Sequence, residues 1–245
     1  MTTRLESAQP RIAALRQRAD AEHGFAARAA QAASRQEALA AAAASSQARS
    51  DHAATAALHR DAEKFHLMVA AMARSQEARM SRWLGDPDPG AVRPRLIGVV
   101  AAMLGTPSAS VTLQNASLAM ARLSGSDPAG QAACEAEIVA GGGPGTDART
   151  QGRLRTAAGP QIAACWPAYA QATARLGVHA VVAAPLGPPA GRIGAVCVYY
   201  RTPALAEGAA EQTFRMAAAL TRLLLHEASD LAPLLAEDQG FTPLS

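Results

Sequence analysis

Between Phe25 and Leu84 there is no glycine and no proline. Eighteen of the 19 glycines and 14 of the 15 prolines lie at or beyond Gly85. A 60-residue run without the two strongest helix breakers, and rich in Ala, Arg, Gln, Glu and Leu, excludes a loop-rich or sheet-rich N-terminal third and predicts helix. Aromatic residues are scarce at 4%, so a core must be built from Ala, Val and Leu, and with 49% apolar residues there is enough material for one. Lysine is nearly missing: Lys64 is one of 23 basic residues and the rest are Arg. Cys134, Cys165 and Cys197 are odd in number and sit in apolar contexts, which excludes a disulfide framework and predicts reduced thiols in a cytoplasmic protein. No apolar run reaches the ~20 residues of a membrane helix, and the N-terminus lacks the apolar core of a secretory signal. No sign of charge dominates. Residues 1–84 hold 12 Lys/Arg against 8 Asp/Glu, residues 85–245 hold 11 against 12, and the charges are interleaved. A nucleic-acid binder carries a basic stripe, so neither nucleic acid nor membrane is an expected partner.

The breaker-free run would span roughly 90 Å as one continuous helix. An antiparallel hairpin is the compact alternative, with its bend near Ala44–Ser50, the one stretch polar enough for it. In the second half of the run Leu58, Phe65 and Met72 are seven apart, with Met68 and Val69 between them. That apolar stripe wants a partner. Upstream the stripe fades to Ala, which buries little area per residue. The region is therefore expected to be stable only when paired, with itself in a dimer or with another protein.

Trp83–Gly90 holds two Pro and two Gly and ends the helical region. Beyond it, a helix is expected over 95–104, strands over 109–113 and 118–123, helices over 128–138 and 146–151, and a short edge strand over 153–156. Pro167 and Gly177 bracket another helix. Strands are then expected over 180–184 and 193–200. The last is apolar on both alternating sets and should be central. A helix over 205–235 and a disordered tail close the pattern. The fold class read from this is α+β: an antiparallel sheet with covering helices, preceded by a long Ala-rich helical region, coiled coil or hairpin. The expected divisions are 1–84 helical, 85–94 linker, 95–203 sheet domain, 204–236 C-terminal helix and 237–245 tail.

Several short motifs resemble those of GAF domains, and more closely the GAF part of bacterial regulators that carry an ANTAR RNA-binding module. They are Gly141-Gly142-Gly143-Pro144-Gly145-Thr146-Asp147-Ala148, Cys165-Trp166-Pro167-Ala168-Tyr169, Leu176-Gly177-Val178, Pro185-Leu186, and Gly194-Ala195-Val196-Cys197-Val198-Tyr199. In that family Cys is common where Gly145 stands, and an Asp is usual between the Gly-ended helix and Trp-Pro, where this chain has Arg155-Thr156-Ala157-Ala158. The resemblance implies a non-enzymatic sensing or docking domain with a pocket between the central strands and the helices. It places Met120, Arg122, Trp166, Tyr169, His179 and Cys197 around that pocket; read from the residues themselves, Trp166 and Tyr169 are the large core fillers of an aromatic-poor domain, and Cys197, inside a strand, is a small hydrophobe. It also implies a signalling role through flanking helices that form dimers. The single helix after Tyr200 leaves the ANTAR module missing.

Other chemistry is thinly represented. His52, His59 and His66 are seven apart, so successive rings lie about 10 Å apart along a helix, too far to share a metal. Glu63-x-x-His66 has no second copy, as a di-iron bundle requires. The run GGGPG lacks the Gly-Lys-Ser/Thr ending of a phosphate loop. No catalytic residue, metal ligand or cofactor is assigned. A degenerate GAF scaffold is one alternative, and a cysteine-dependent GAF-fold methionine sulfoxide reductase is another, although the cysteine-bearing loop motifs of the latter are not visible.

Overall fold

The computed structural model describes residues 2–88, 90–106, 108–114, 121–188, 191–226 and 242–243. The chain divides into two compact units, Met1–Arg93 and Pro94–Ser245. The fold class is α+β, long N-terminal helices followed by an antiparallel sheet with helices.

The first unit is a pair of long helices, α1 (Thr2–Ala42) and α2 (Ser46–Leu84), folded against each other. The hairpin alternative is the one adopted, and its turn, Ala43–Ser45, falls at the start of the expected stretch. Ser45 is extended (φ −101°, ψ 150°), and its hydroxyl accepts from the Ala48 N–H at 3.1 Å, capping α2. The two helices run antiparallel, as cross-links along their length show. Gln36 Oε1 meets His52 Nδ1 at 2.8 Å near the turn, and Glu22 Oε2 meets His66 Nδ1 at 2.5 Å farther from it. Buried alanines make much of the seam: Ala19, Ala26 and Ala33 from α1, and Ala56, Ala70 and Ala73 from α2. Glu22 is fully buried and also pairs with Arg18 at 2.6 Å.

The second unit begins with α3 (Ile97–Met103). It continues through β1 (Ser108–Gln114), β2 (Ala121–Gly125), α4 (Pro128–Val139), α5 (Pro144–Gln151), β3 (Arg155–Ala158), α6 (Pro160–Cys165) and α7 (Pro167–Thr173). It ends with β4 (Ala180–Leu186), β5 (Gly194–Tyr200), α8 (Pro203–His226) and β6 (Thr242–Pro243). The sheet is antiparallel, in the order β3-β4-β5-β1-β2-β6. Strand β5 is interior and buried at all seven positions, as its doubly apolar pattern predicts. Proline opens α4, α5, α6 and α7, at positions where its missing N–H costs nothing. Helix α6 is not anticipated by the sequence pattern. The expected tail falls outside the described residues except for the two-residue β6, and so does the end of the expected C-terminal helix beyond His226.

Alternation along β5 sorts its side chains into two layers. Ala195, Cys197 and Tyr199 join Val181, Ala183, Ala133, Ala148, Trp166 and Tyr169 in one apolar cluster, under α4, α5, α6 and α7. On the other face α8 lies over β4 and β5, tied by the Thr221 hydroxyl, which accepts from the Gly187 N–H at 3.1 Å.

Candidate functional site

Several buried polar groups of the second unit lie between α4, α5 and the sheet. Asp127 caps α4 by accepting from the Gly130 N–H at 2.8 Å, and the Ser108 hydroxyl donates to its other oxygen at 2.8 Å. With α4 so fixed against β1 and β2, Cys134 and Glu137 are directed into the protein. The Cys134 thiol lies 3.1 Å from the Thr112 hydroxyl of β1. The Glu137 carboxylate reaches the α5 N-terminus, where it accepts from the backbone N–H of Gly145 at 3.1 Å and from that of Thr146. Burial pushes its pKa up, against those two hydrogen bonds, which hold it down, and the nearby Asp147 adds to the rise. The negative group sits at the positive end of the α5 dipole. At the other end Arg192 donates to the carbonyls of Arg149 (3.2 Å) and Thr150 (2.9 Å). Helix α5 is thus held between opposite charges.

The Gly-rich run serves this packing. A Cβ on Gly143 would lie 2.6 Å from Glu137 Cγ, and one on Gly145 would lie 2.9 Å from Cys197 Sγ. Position 145 is glycine because the Cys197 sulfur occupies the space that a side chain would need.

Of the six expected pocket residues, Trp166, Tyr169 and Cys197 are brought together in the buried cluster. Met120 lies outside the described residues, as does the side chain of Arg122. His179 is exposed, in the approach to β4, and only its backbone is engaged: its N–H donates to Tyr200 O and its carbonyl accepts from the Gly159 N–H. The hydroxyl of Tyr199 bonds to Ser110 at 2.7 Å. That of Tyr169 lies beside it without a hydrogen bond of good geometry. Burial pushes the pKa of both phenols upward, along with that of the Cys197 thiol, and raises that of Cys134 to about 11.

Sequence reasoning missed Cys134, Glu137, Ser110, Thr112 and Tyr199 as parts of this cluster. It also missed Asp147. Asp147 accepts from the Trp166 indole N–H at 3.1 Å and from Arg155 at 3.2 Å, linking α5, the junction of α6 and α7, and β3.

The described members of the cluster are packed on one another: Tyr169 is 0% exposed, Ser110 1%, Tyr199 2%, Cys197 3% and Trp166 9%. Among the described residues no group of three metal-ligating side chains is present, and no helix is long and apolar enough to cross a membrane. No protein-family model, curated protein or solved structure matches the chain.

Proposed function

We propose that this is a non-enzymatic, cytoplasmic regulatory protein. In this reading the sheet unit is a GAF-like docking module, and it acts through protein contacts made by its helices, with a second copy of the chain among its partners. One observation supports the reading: Trp166, Tyr169, Tyr199 and Cys197, where the resemblance implies a ligand pocket, belong to one buried cluster. A small-molecule site is a cleft that encloses most of its ligand. A sensor, in addition, must bind its ligand with different affinity in two states. A cluster closed by its own side chains provides neither.

The thiols argue the same way. The thiolate is the attacking form of cysteine, whereas Cys134 and Cys197 are buried, with burial pushing both toward the neutral thiol. That disfavours a reductase that attacks through Cys134 or Cys197; Cys165 is the exposed thiol. The degenerate-scaffold reading shares the closed cluster and differs in expecting association that no signal alters.

Thermal melting of the full chain against nucleotides, haem and small metabolites tests the proposal. No saturable rise in melting temperature is expected. A saturable rise that Tyr169→Phe abolishes would restore the sensor reading.

A further inference from the structure

One edge of the sheet is closed by the chain's own C-terminal segment. Strand β2 pairs with β1 on one side, and β6 lies against the other, with Leu123 opposite Thr242 and Arg122 opposite Pro243. Along an antiparallel strand the backbone groups of successive residues point alternately to the two sides. The Ser126 N–H donates to the Ala109 carbonyl of β1 at 2.8 Å, so Ser124 and Arg122 face β1 as well, and Gly125 and Leu123 turn outward. Buried backbone N–H and C=O groups need partners. Gly125 finds both within the unit: its N–H donates to Gln131 Oε1 of α4 at 2.7 Å, and its carbonyl accepts from Arg95 at 3.1 Å. Leu123 is fully buried, and its outward groups face β6.

Thr242 and Pro243 suit the two positions they hold. Thr242 stands opposite an outward-facing residue, in the kind of pair whose N–H and C=O groups meet. Pro243 stands opposite Arg122, whose own groups face β1, so the proline nitrogen is turned away from β2. A proline there costs the ladder nothing, and it denies a further strand a donor. Strand β6 is the last in the sheet order. It therefore takes up the β2 edge and ends the sheet in the same two residues.

We propose that the outward edge of β2 is a docking site for an extended peptide segment of another protein, and that β6 is an internal competitor for it. The seated segment defines the class of partner: a strand antiparallel to β2, with an N–H and a C=O opposite Leu123. Main-chain bonds supply the affinity in strand addition of this kind. The pairing with β6 fills the register at Arg122 and Leu123, whereas β2 continues to Ala121, whose backbone groups also turn outward. A longer segment gains that further pair and displaces β6. This goes beyond the docking reading of the helices and does not rest on it. Leu123 is outside the buried Trp166, Tyr169 and Cys197 cluster, so a failed peptide test leaves that cluster as it is.

The test follows amide exchange and peptide binding in the full chain. Thr242→Pro removes the N–H opposite Leu123, and Pro243→Ala is the control, because its nitrogen faces away from β2. The probe is a fluorescent synthetic peptide with the sequence of residues 237–245. In Thr242→Pro, exchange at Leu123 is expected to quicken at least about tenfold while exchange in β4 and β5 is unchanged. The probe is expected to bind that variant at least about tenfold more tightly than the parent. Pro243→Ala should stay within about twofold of the parent in both measurements. An unchanged Leu123 amide in Thr242→Pro overturns the proposal, as does a probe that binds this variant no better than the parent. Faster exchange throughout the sheet also overturns it, because a displaceable segment leaves the rest of the fold in place.

Discussion

Gly145 and Glu137 show how much of the candidate site is decided by single groups. A side chain at position 145 would collide with the Cys197 sulfur, and overpacking a filled interior costs about 1–3 kcal/mol. Gly145→Cys, which restores the residue that the resemblance leads one to expect, should therefore lower stability by that amount in urea denaturation. Gly145→Cys combined with Cys197→Ala should recover part of the loss. Glu137 carries a pH signature. Its folded pKa is raised above 4.5 by burial, so the folded state holds the proton more tightly than the unfolded chain does. The group's contribution is greatest while it is protonated, falls as pH rises from 4.5 through the folded pKa, and is constant beyond. Glu137→Gln should remove that slope, as read from urea midpoints across the window. If the slope persists in the variant, its origin lies in another group.

Residue by residue, the sequence was informative where a pattern forced burial. Trp166, Tyr169 and Cys197 come together because a Trp-Pro helix start and an all-apolar strand leave them nowhere else to go. Glu137 was not legible, because a lone carboxylate on a helix ordinarily faces water. Its burial follows from the neighbouring loop, whose glycines admit it and whose N–H groups bond it. Ser110 and Thr112 were read only as the polar side of an alternating strand, and it takes α4 to cover them.

Among the elements, the hairpin has a reason that can be traced in the chain. Gln36 and His52 meet across it. In one continuous helix those positions would point roughly 160° apart, so the contact faces of the two halves would look to different sides. Folding back at Ala43–Ser45 lets them face each other. No glycine or proline announces this turn, which is why the sequence left the continuous helix open as an alternative.

Glu22 is fully buried in that interface, held by Arg18 and His66. Removing one partner from a buried ion cluster costs about 3–5 kcal/mol. Glu22→Ala should therefore speed amide exchange along both α1 and α2 while leaving exchange in β4 and β5 unchanged. Equal acceleration in the sheet would mean that the two units do not unfold separately. Helix α6 was missed for a different reason: six residues are too few for a helical period to register.

For the whole molecule, the boundary between the two units falls after Arg93, a few residues beyond the Trp83–Gly90 break where the sequence turns from breaker-free to glycine-rich. The α+β class was legible in the breaker-free run and in the alternating and doubly apolar strand patterns beyond it. What composition could not reveal is whether the cluster beneath α5 is open, because closure depends on how Tyr169, Tyr199 and Cys197 share one volume. That closure is the centre of the account, and the three cysteines report it. Cys165 is exposed, while Cys134 and Cys197 are buried in the cluster itself. Titration of the native protein with a thiol reagent should modify one cysteine rapidly, with mass mapping placing it at Cys165. The other two should react only when the protein unfolds. Rapid modification of Cys134 or Cys197 in the folded chain would mean that the site is open to solvent, and the docking reading would give way to a ligand pocket.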